Sequence, residues 1–423
     1  VRQLRDEGVH VYVGHRAENV RGAKTVVVSS AIDRRNPEYV AAMHGGITVL
    51  RRGEMLARLL DGRRGIAVCG THGKTTTTAM VHAALRASGI DAGLVLGGID
   101  LTLQSNAHEG SAPWFVTEAD ESDGSFALLE PVMAIVTNLE NDHLTSDDEL
   151  PALARAFGEF LGKLPDDGYA LIGIDNPLSA SLTGHELAAA VETFGLDGRA
   201  SLRAVDVTYA GIGSSFDVYS GDRHLGRIEL RVPGAMNVAN ALGAIGIAHR
   251  LGCSFAGIAA ALRAFRGVRR RFDVLVSGER ATVVDDYAHH PTAVRATIAA
   301  ARRYHHGPLV VAFQPHRFTR TAFLARDFAD ALGGADRIYL APVYAASEPA
   351  IPGVSERSIG EPLAAAGADV RYVDRVDDLE RKLMNELPQG AMLLMLGAGD
   401  ITDVAARLAG RLSESAAATS ARA

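Results

Sequence analysis

Short apolar runs alternate with helical spacings along most of the chain. Residues 9–13, 25–28 and 47–50 read as buried strands, with helical spacing at 1–7 and 37–43. The alternation resumes at 65–69, 114–116, 133–137, 169–172 and 191–194. A weaker stretch, 202–230, alternates over glycine-rich turns and reads as antiparallel, and an alanine-rich helix at 237–251 is closed by Gly252. From residue 269 the pattern restarts, with strands at 282–284, 309–313, 337–340 and 392–396. Buried strands between helices imply parallel sheets with crossover connections. The expected fold is α/β in three domains: 1–62, 63–268 and 269–412, with a linker at 61–65. The small, polar residues 413–423 are expected to form a disordered tail.

Composition narrows this picture. A chain of 423 residues is too long for one ordinary core. Apolar residues make up 47% and charged residues 22%, a globular profile. A net charge of −7 without a basic tract argues against a nucleic-acid partner. The two cysteines, Cys69 and Cys253, exclude a disulfide scaffold and are expected as small core residues in a reducing compartment. No apolar run approaches the ~18 residues of a membrane span. No signal peptide opens the sequence, so a cytoplasmic protein without membrane insertion is expected, as a monomer or a homodimer.

The segment 70–78, GTHGKTTTT, follows the apolar run 65–69 and opens an apolar-periodic helix. A glycine loop between a strand and a helix N-terminus gathers backbone N–H groups on an anion, and the helix dipole favours negative charge there. Lys74 would reach the β- and γ-phosphates of ATP, and the Thr75 hydroxyl would hold Mg2+. Position 68 is Val, so the loop is a shorter form than G-x-x-x-x-G-K-T. The acidic run after the strand at 114–116 begins with Glu118 and offers the hard oxygen ligands that Mg2+ requires. NLENDH at 138–143 follows the next strand, and its histidine, His143, is expected to hold a second metal ion.

GTHGKTTTT, EADESDGSF, NLENDH, GVRRRFD, DDYAHHPTAV and FQPHRFTR occur here in an order and spacing that resembles the Mur ligase family, over residues 1 to about 403. The resemblance implies an incomplete N-terminal Rossmann-like domain, a central P-loop ATPase-like domain and a C-terminal Rossmann-like domain. It implies ATP-dependent, ADP-forming ligation of L-alanine to UDP-N-acetylmuramate through an acyl phosphate, in peptidoglycan precursor biosynthesis, with two Mg2+ ions. Carried over by position, Gly70, Thr71, His72, Gly73, Lys74, Thr75 and Thr76 cradle ATP. Thr75, Glu118 and His143 become metal ligands, and Lys74, Glu118 and His143 the catalytic set. Asn237 and Asn240 resemble adenine-reading asparagines, with Met236 where family members commonly carry His. Arg271 would reach ATP from a hinge, and Asp286 would lie near the ribose. His289, Arg317 and Arg320 resemble the L-alanine pocket, where a planar guanidinium suits a carboxylate.

Two other readings carry distinct signatures. A recycling ligase joining a tripeptide to the same UDP-sugar shares the AHHP segment, and Ala288 leans that way, whereas FQPHRFTR and EADESD lean away. A P-loop ATPase or kinase of another class shares only the loop. The GAGD segment at 397–400 fits a tight turn of the last domain. In the resembled family a strand, a Gly-rich loop and a helix open the first domain and cradle the UDP-sugar diphosphate; here the first element is a helix fragment. The expectation is an N-terminally truncated chain with an open sheet edge that binds ATP but holds UDP-N-acetylmuramate poorly.

Overall fold

The computed structural model describes residues 2–29, 31–120, 125–141 and 149–420. Its strands form three sheets. Thr25–Val28 and Thr48–Arg51 pair in parallel with each other, flanked by the helices Pro37–His44 and Arg52–Leu60. The expected strand at 9–13 does not form: Val9, Tyr12 and Val13 are exposed in irregular backbone. Among the described residues it has no neighbouring strand, and an extended segment without a ladder partner gains nothing over solvated coil.

The central sheet has ten strands. Their order is Arg223–Leu230, Gly213–Ser220, Leu202–Ala210, Ala190–Gly195, Tyr169–Gly173, Met133–Val136, Arg64–Cys69, Trp114–Glu118, Gly93–Asp100 and Ser105–His108. Pairing is parallel through the middle and antiparallel at both ends. Arg64, expected in a linker, begins the central strand one residue before the expected start, in register with Trp114. Alternation along this strand separates two cores. Ile66 and Val68 face the helices Lys74–Ala87, Ala235–Arg250 and Phe255–Ala264 through Met80, Leu85, Val238, Leu242 and Ile258. Ala67 and Cys69 face the helix Leu150–Leu161 through Phe157 and Phe160. Both cysteines are buried, and neither is in a disulfide.

The third sheet runs Asp273–Ser277, Ala281–Asp286, Ala391–Leu396, Leu309–Phe313, Arg337–Leu340 and Val370–Tyr372, parallel except at its first strand. Helix Pro291–Tyr304 covers one face, and Asp378–Glu386 with the last helix covers the other. That last helix, Ile401–Ser420, continues into the expected tail, because the alanine-rich sequence after Leu412 favours helix over coil. No helix among the described residues is long and apolar enough to cross a membrane. The parallel strands of both larger sheets end at the same cleft, the position at which open α/β sheets bind ligands.

One buried histidine gives the central core a pH dependence. His82, on the helix Lys74–Ala87, is 1% exposed and makes a hydrogen bond through Nε2 to the Ala92 carbonyl at 3.2 Å. Burial, aided by His108, pulls it from 6.5 to about 4. Between those values the unfolded chain binds the proton and the native chain does not, so stability falls as the pH falls. At ~1.4 kcal/mol per unit the loss is about 3 kcal/mol by pH ~4. Denaturant melts from neutral to acid pH should show this slope, and His82→Gln should flatten it. An unchanged slope in the variant would place the acid sensitivity elsewhere.

Candidate active site

The loop at 70–73 is shaped by close approaches that exclude side chains. Gly70 has φ +119°, and a Cβ there would lie 2.3 Å from Thr137 Oγ1. Gly73 has φ +85°, and its Cβ would lie 2.4 Å from Asn240 Oδ1. The loop is clamped by the end of the neighbouring strand. Asn138 accepts from Thr71 N on its carbonyl at 2.8 Å and from His72 N on Oδ1 at 2.9 Å. Its Nδ2 donates to the His72 carbonyl at 3.0 Å, and Thr137 Oγ1 donates to that carbonyl at 2.7 Å. Helix Lys74–Ala87 then starts with its N–H groups facing the cleft. Lys74 Nζ donates to the Gly70 carbonyl at 2.7 Å and lies 3.9 Å from Asp120 Oδ1. Thr75 Oγ1 donates to Glu118 Oε2 at 2.9 Å, so a hydroxyl and a carboxylate meet beside the phosphate cradle. Two hard oxygens at that position fit Mg2+. His143 lies outside the described residues.

Asn237 and Asn240 open the helix Ala235–Arg250 on the far side of the loop. Asn237 Nδ2 donates to the Pro233 carbonyl at 2.7 Å, and Asn240 Nδ2 donates to Asn237 Oδ1 at 3.0 Å. Thr77 Oγ1 donates to Asn240 Oδ1 at 3.1 Å. The pair is thereby coupled to the helix that carries Lys74. Met236 also lines the cleft.

The opposite wall comes from the C-terminal sheet and the segment leading into it. Leu101 N donates to the Gly267 carbonyl, and Arg269 N to the Ile99 carbonyl, which ties this connection to the central sheet. Arg270 and Arg271 both lie over the Tyr287 ring, at 4.9 and 5.0 Å from its centroid. Arg271 Nη2 donates to Thr75 Oγ1 at 3.4 Å, reaching the phosphate loop across the cleft. Asp286 accepts from Phe272 N and Ala288 N, both at 2.8 Å, one on each oxygen. Burial pushes its carboxyl up to about 6, against the pull of Arg271. In this arrangement Asp286 fixes the connecting segment on which Arg271 stands. Arg270 Nη2 reaches the Gly397 carbonyl at 2.8 Å, so the GAGD turn buttresses that segment.

His289 Nδ1 lies 2.7 Å from the Tyr287 carbonyl, and its ring meets His316 edge-on at 5.7 Å. His316 stacks on Tyr344 at 5.6 Å. Arg320 is buried, with Nη1 3.5 Å from His316 Nδ1. Arg317 is exposed and adopts φ +69°, anchored by its N–H to the Tyr344 carbonyl at 2.8 Å.

A single cleft of about 830 Å3 brings these walls together. Thr71 to Thr76, Glu118, Asn237, Asn240, Arg271, Asp286, His289, Arg317 and Arg320 all line it, while Gly70 lies behind the loop as its pivot. Sequence reasoning did not single out Asn138, Glu140, His290 or His316. Asn138 and Glu140 lie in the NLENDH motif beside His143, and His290 and His316 are the neighbours of His289 and Arg317.

Comparisons with known proteins agree with this architecture. Residues 1–64 match the Mur ligase family catalytic domain, 68–248 the Mur ligase middle domain, and 270–399 the glutamate ligase domain of Mur ligases. The UDP-N-acetylmuramate–L-alanine ligase of Acidithiobacillus ferrooxidans is 47% identical over 411 residues, spanning 96% of this chain and 88% of that protein. Its counterpart in Agrobacterium fabrum is 41% identical over 97% of this chain and 89% of that one. Among solved structures, the UDP-N-acetylmuramate-alanine ligase of Thermotoga maritima matches with a TM-score of 0.82 at 28% identity, covering 97% of this chain and 90% of its own. A murein peptide ligase from Psychrobacter arcticus matches with a TM-score of 0.72 at 25% identity, covering 96% and 90%. With its phosphate loop, hinge arginines and C-terminal pocket facing one another, this chain belongs to the Mur ligase family.

Proposed function

We propose that this chain ligates L-alanine to UDP-N-acetylmuramate with conversion of ATP to ADP and phosphate, as a step of peptidoglycan precursor biosynthesis. The observation that carries the reading is the shared cleft, in which a phosphate loop faces a pocket built by His289, Arg317 and Arg320. The 47% identity to an L-alanine ligase supplies the substrates.

The lactyl carboxylate of the UDP-sugar takes the γ-phosphoryl group of ATP, and ADP leaves. The amine of L-alanine attacks the resulting acyl phosphate, and phosphate departs from the tetrahedral intermediate. Little covalent chemistry falls to the protein; its task is positioning and charge neutralisation. Loop N–H groups and Lys74 hold the phosphates, and Arg271 adds positive charge beside Thr75 from the hinge. Thr75 and Glu118 would hold Mg2+, which when bound offsets charge on the transferring group. A second ion on His143 belongs to the same reading. Asn237 and Asn240 read the adenine, and Arg317 with Arg320 holds the alanine carboxylate while the histidines shape the pocket. Closure of the two walls excludes water, which would hydrolyse the acyl phosphate.

The test is phosphate release with ATP, UDP-N-acetylmuramate and a panel of amino acids. Release that requires both the UDP-sugar and L-alanine is expected. Release only with a tripeptide would move the chain to the recycling branch, and release without any UDP-sugar would remove it from ligation.

A further inference from the structure

Beside the phosphate loop, apart from the Thr75–Glu118 pair, three further donors converge. His72, Glu140 and His290 each place one ligand atom within 4.8 Å of the other two. His72 Nε2 lies 3.3 Å from Glu140 Oε2, and His290 Nδ1 lies 4.0 Å from the same oxygen. The two imidazole rings are 5.2 Å apart. Zinc bonds of 2.0–2.1 Å in a tetrahedron put ligand atoms ~3.3 Å from one another. One edge of the triangle already has that length, the His290–Glu140 edge is 4.0 Å, and no pair of ligand atoms is more than 4.8 Å apart.

Each ligand stands on a separately anchored segment, as a preorganised site requires. The His72 backbone is clamped by Asn138 on both its N–H and its carbonyl. Glu140 N donates to Thr71 Oγ1 at 2.8 Å. His290 occupies the N-cap position of helix Pro291–Tyr304. The cluster is largely withdrawn from solvent, with side-chain exposures of 22% for His72, 27% for Glu140 and 8% for His290. Burial alone would raise the Glu140 carboxyl, but His72, Thr292 and His290 beside it hold it below its ordinary value, so it stands ready as an anionic ligand.

We propose that His72, Glu140 and His290 form a binding site for a borderline transition-metal dication, Zn2+ or Co2+, that joins the phosphate loop to the C-terminal domain. Two imidazoles and one carboxylate are the ligand set of open zinc sites, with a fourth position left for water. They discriminate against Mg2+, which takes oxygen ligands in octahedral geometry. The site is therefore chemically distinct from the Mg2+ position at Thr75 and Glu118. Because His72 and Glu140 belong to the central sheet's loops and His290 to the C-terminal domain, an ion there fastens one wall of the cleft to the other.

The probe is Co2+ added to the chelator-treated 423-residue chain without nucleotide, followed by visible absorption. One equivalent should develop the intense bands of a four-coordinate ion, disappear on addition of Zn2+, and survive excess Mg2+. His290→Gln and Glu140→Gln should each weaken the Co2+ midpoint at least about tenfold, whereas Lys74→Ala should leave it in place. Melting curves in chelator establish that the variants are folded; should Glu140→Gln unfold, His290→Gln carries the comparison alone. Weak octahedral absorption, or titrations that coincide for the native chain and His290→Gln, would overturn the assignment.

Discussion

Lys74→Ala is expected to lower ligation at least about a thousandfold while the melting temperature stays close to that of the native chain. The ammonium serves the cleft rather than the core. Its contacts include the Gly70 carbonyl at 2.7 Å, the Thr71 carbonyl at 3.4 Å and Asp120 at 3.9 Å, and it lines the cavity rather than either apolar cluster. Alanine is also the better helix former, so the start of the helix Lys74–Ala87 loses nothing intrinsic. On the proposed function, what disappears is the positive charge beside the transferring γ-phosphoryl group. Steady-state phosphate release, with thermal melts on the same preparations, separates the two effects. Retention of a tenth or more of the native rate would remove Lys74 from the catalytic set.

Arg317→Lys is expected to raise the apparent KM for L-alanine about tenfold or more and to leave that for ATP within about twofold. Arg317 holds φ +69°, a conformation that costs a side-chain-bearing residue on the order of 1–3 kcal/mol. Its N–H to the Tyr344 carbonyl and the bond from Thr321 Oγ1 to its own carbonyl, at 2.8 and 2.7 Å, keep it there. Lysine meets the same backbone cost and keeps the charge, so the substitution isolates the planar fork. The loop proposed to hold ATP stands on the other wall, which predicts the split between substrates. An equal rise for both would take Arg317 out of the alanine pocket.

Much of this arrangement was legible beforehand, for physical reasons. The strand at 65–69, its glycines and the Lys-Thr pair follow from local rules, because a phosphate loop is built from contiguous residues. The buried strands at 133–137, 169–172 and 309–313 announced themselves by length and apolar content. Gly93–Asp100 escaped notice because its glycines and terminal aspartate mute the strand pattern, although Gly97 and Gly98 line the cleft. The role of Asn138 was invisible for a different reason: a side chain that clamps a loop 66 residues earlier leaves no local signature. The meeting of His72 with His290 likewise depends on how two domains face each other. Asp286, expected near a ribose, spends both oxygens on backbone N–H groups in this arrangement, which only the folded hinge could reveal.

Cys69 closes the strand that feeds the phosphate loop, and its thiol is fully enclosed, with Sγ 3.2 Å from the Ile135 carbonyl. Cys253 is buried as well. A soluble alkylating reagent does not meet the Cys69 sulfur until the surrounding core opens, so modification there proceeds only through such openings. The rate at Cys69 thus measures how often the strand beneath the nucleotide cradle comes apart, residue by residue in time, from within the native protein. Any ligand that seats on residues 70–76 draws population away from those openings and lengthens the thiol's lifetime. The chain carries a built-in clock next to its nucleotide cradle, with no label to be engineered.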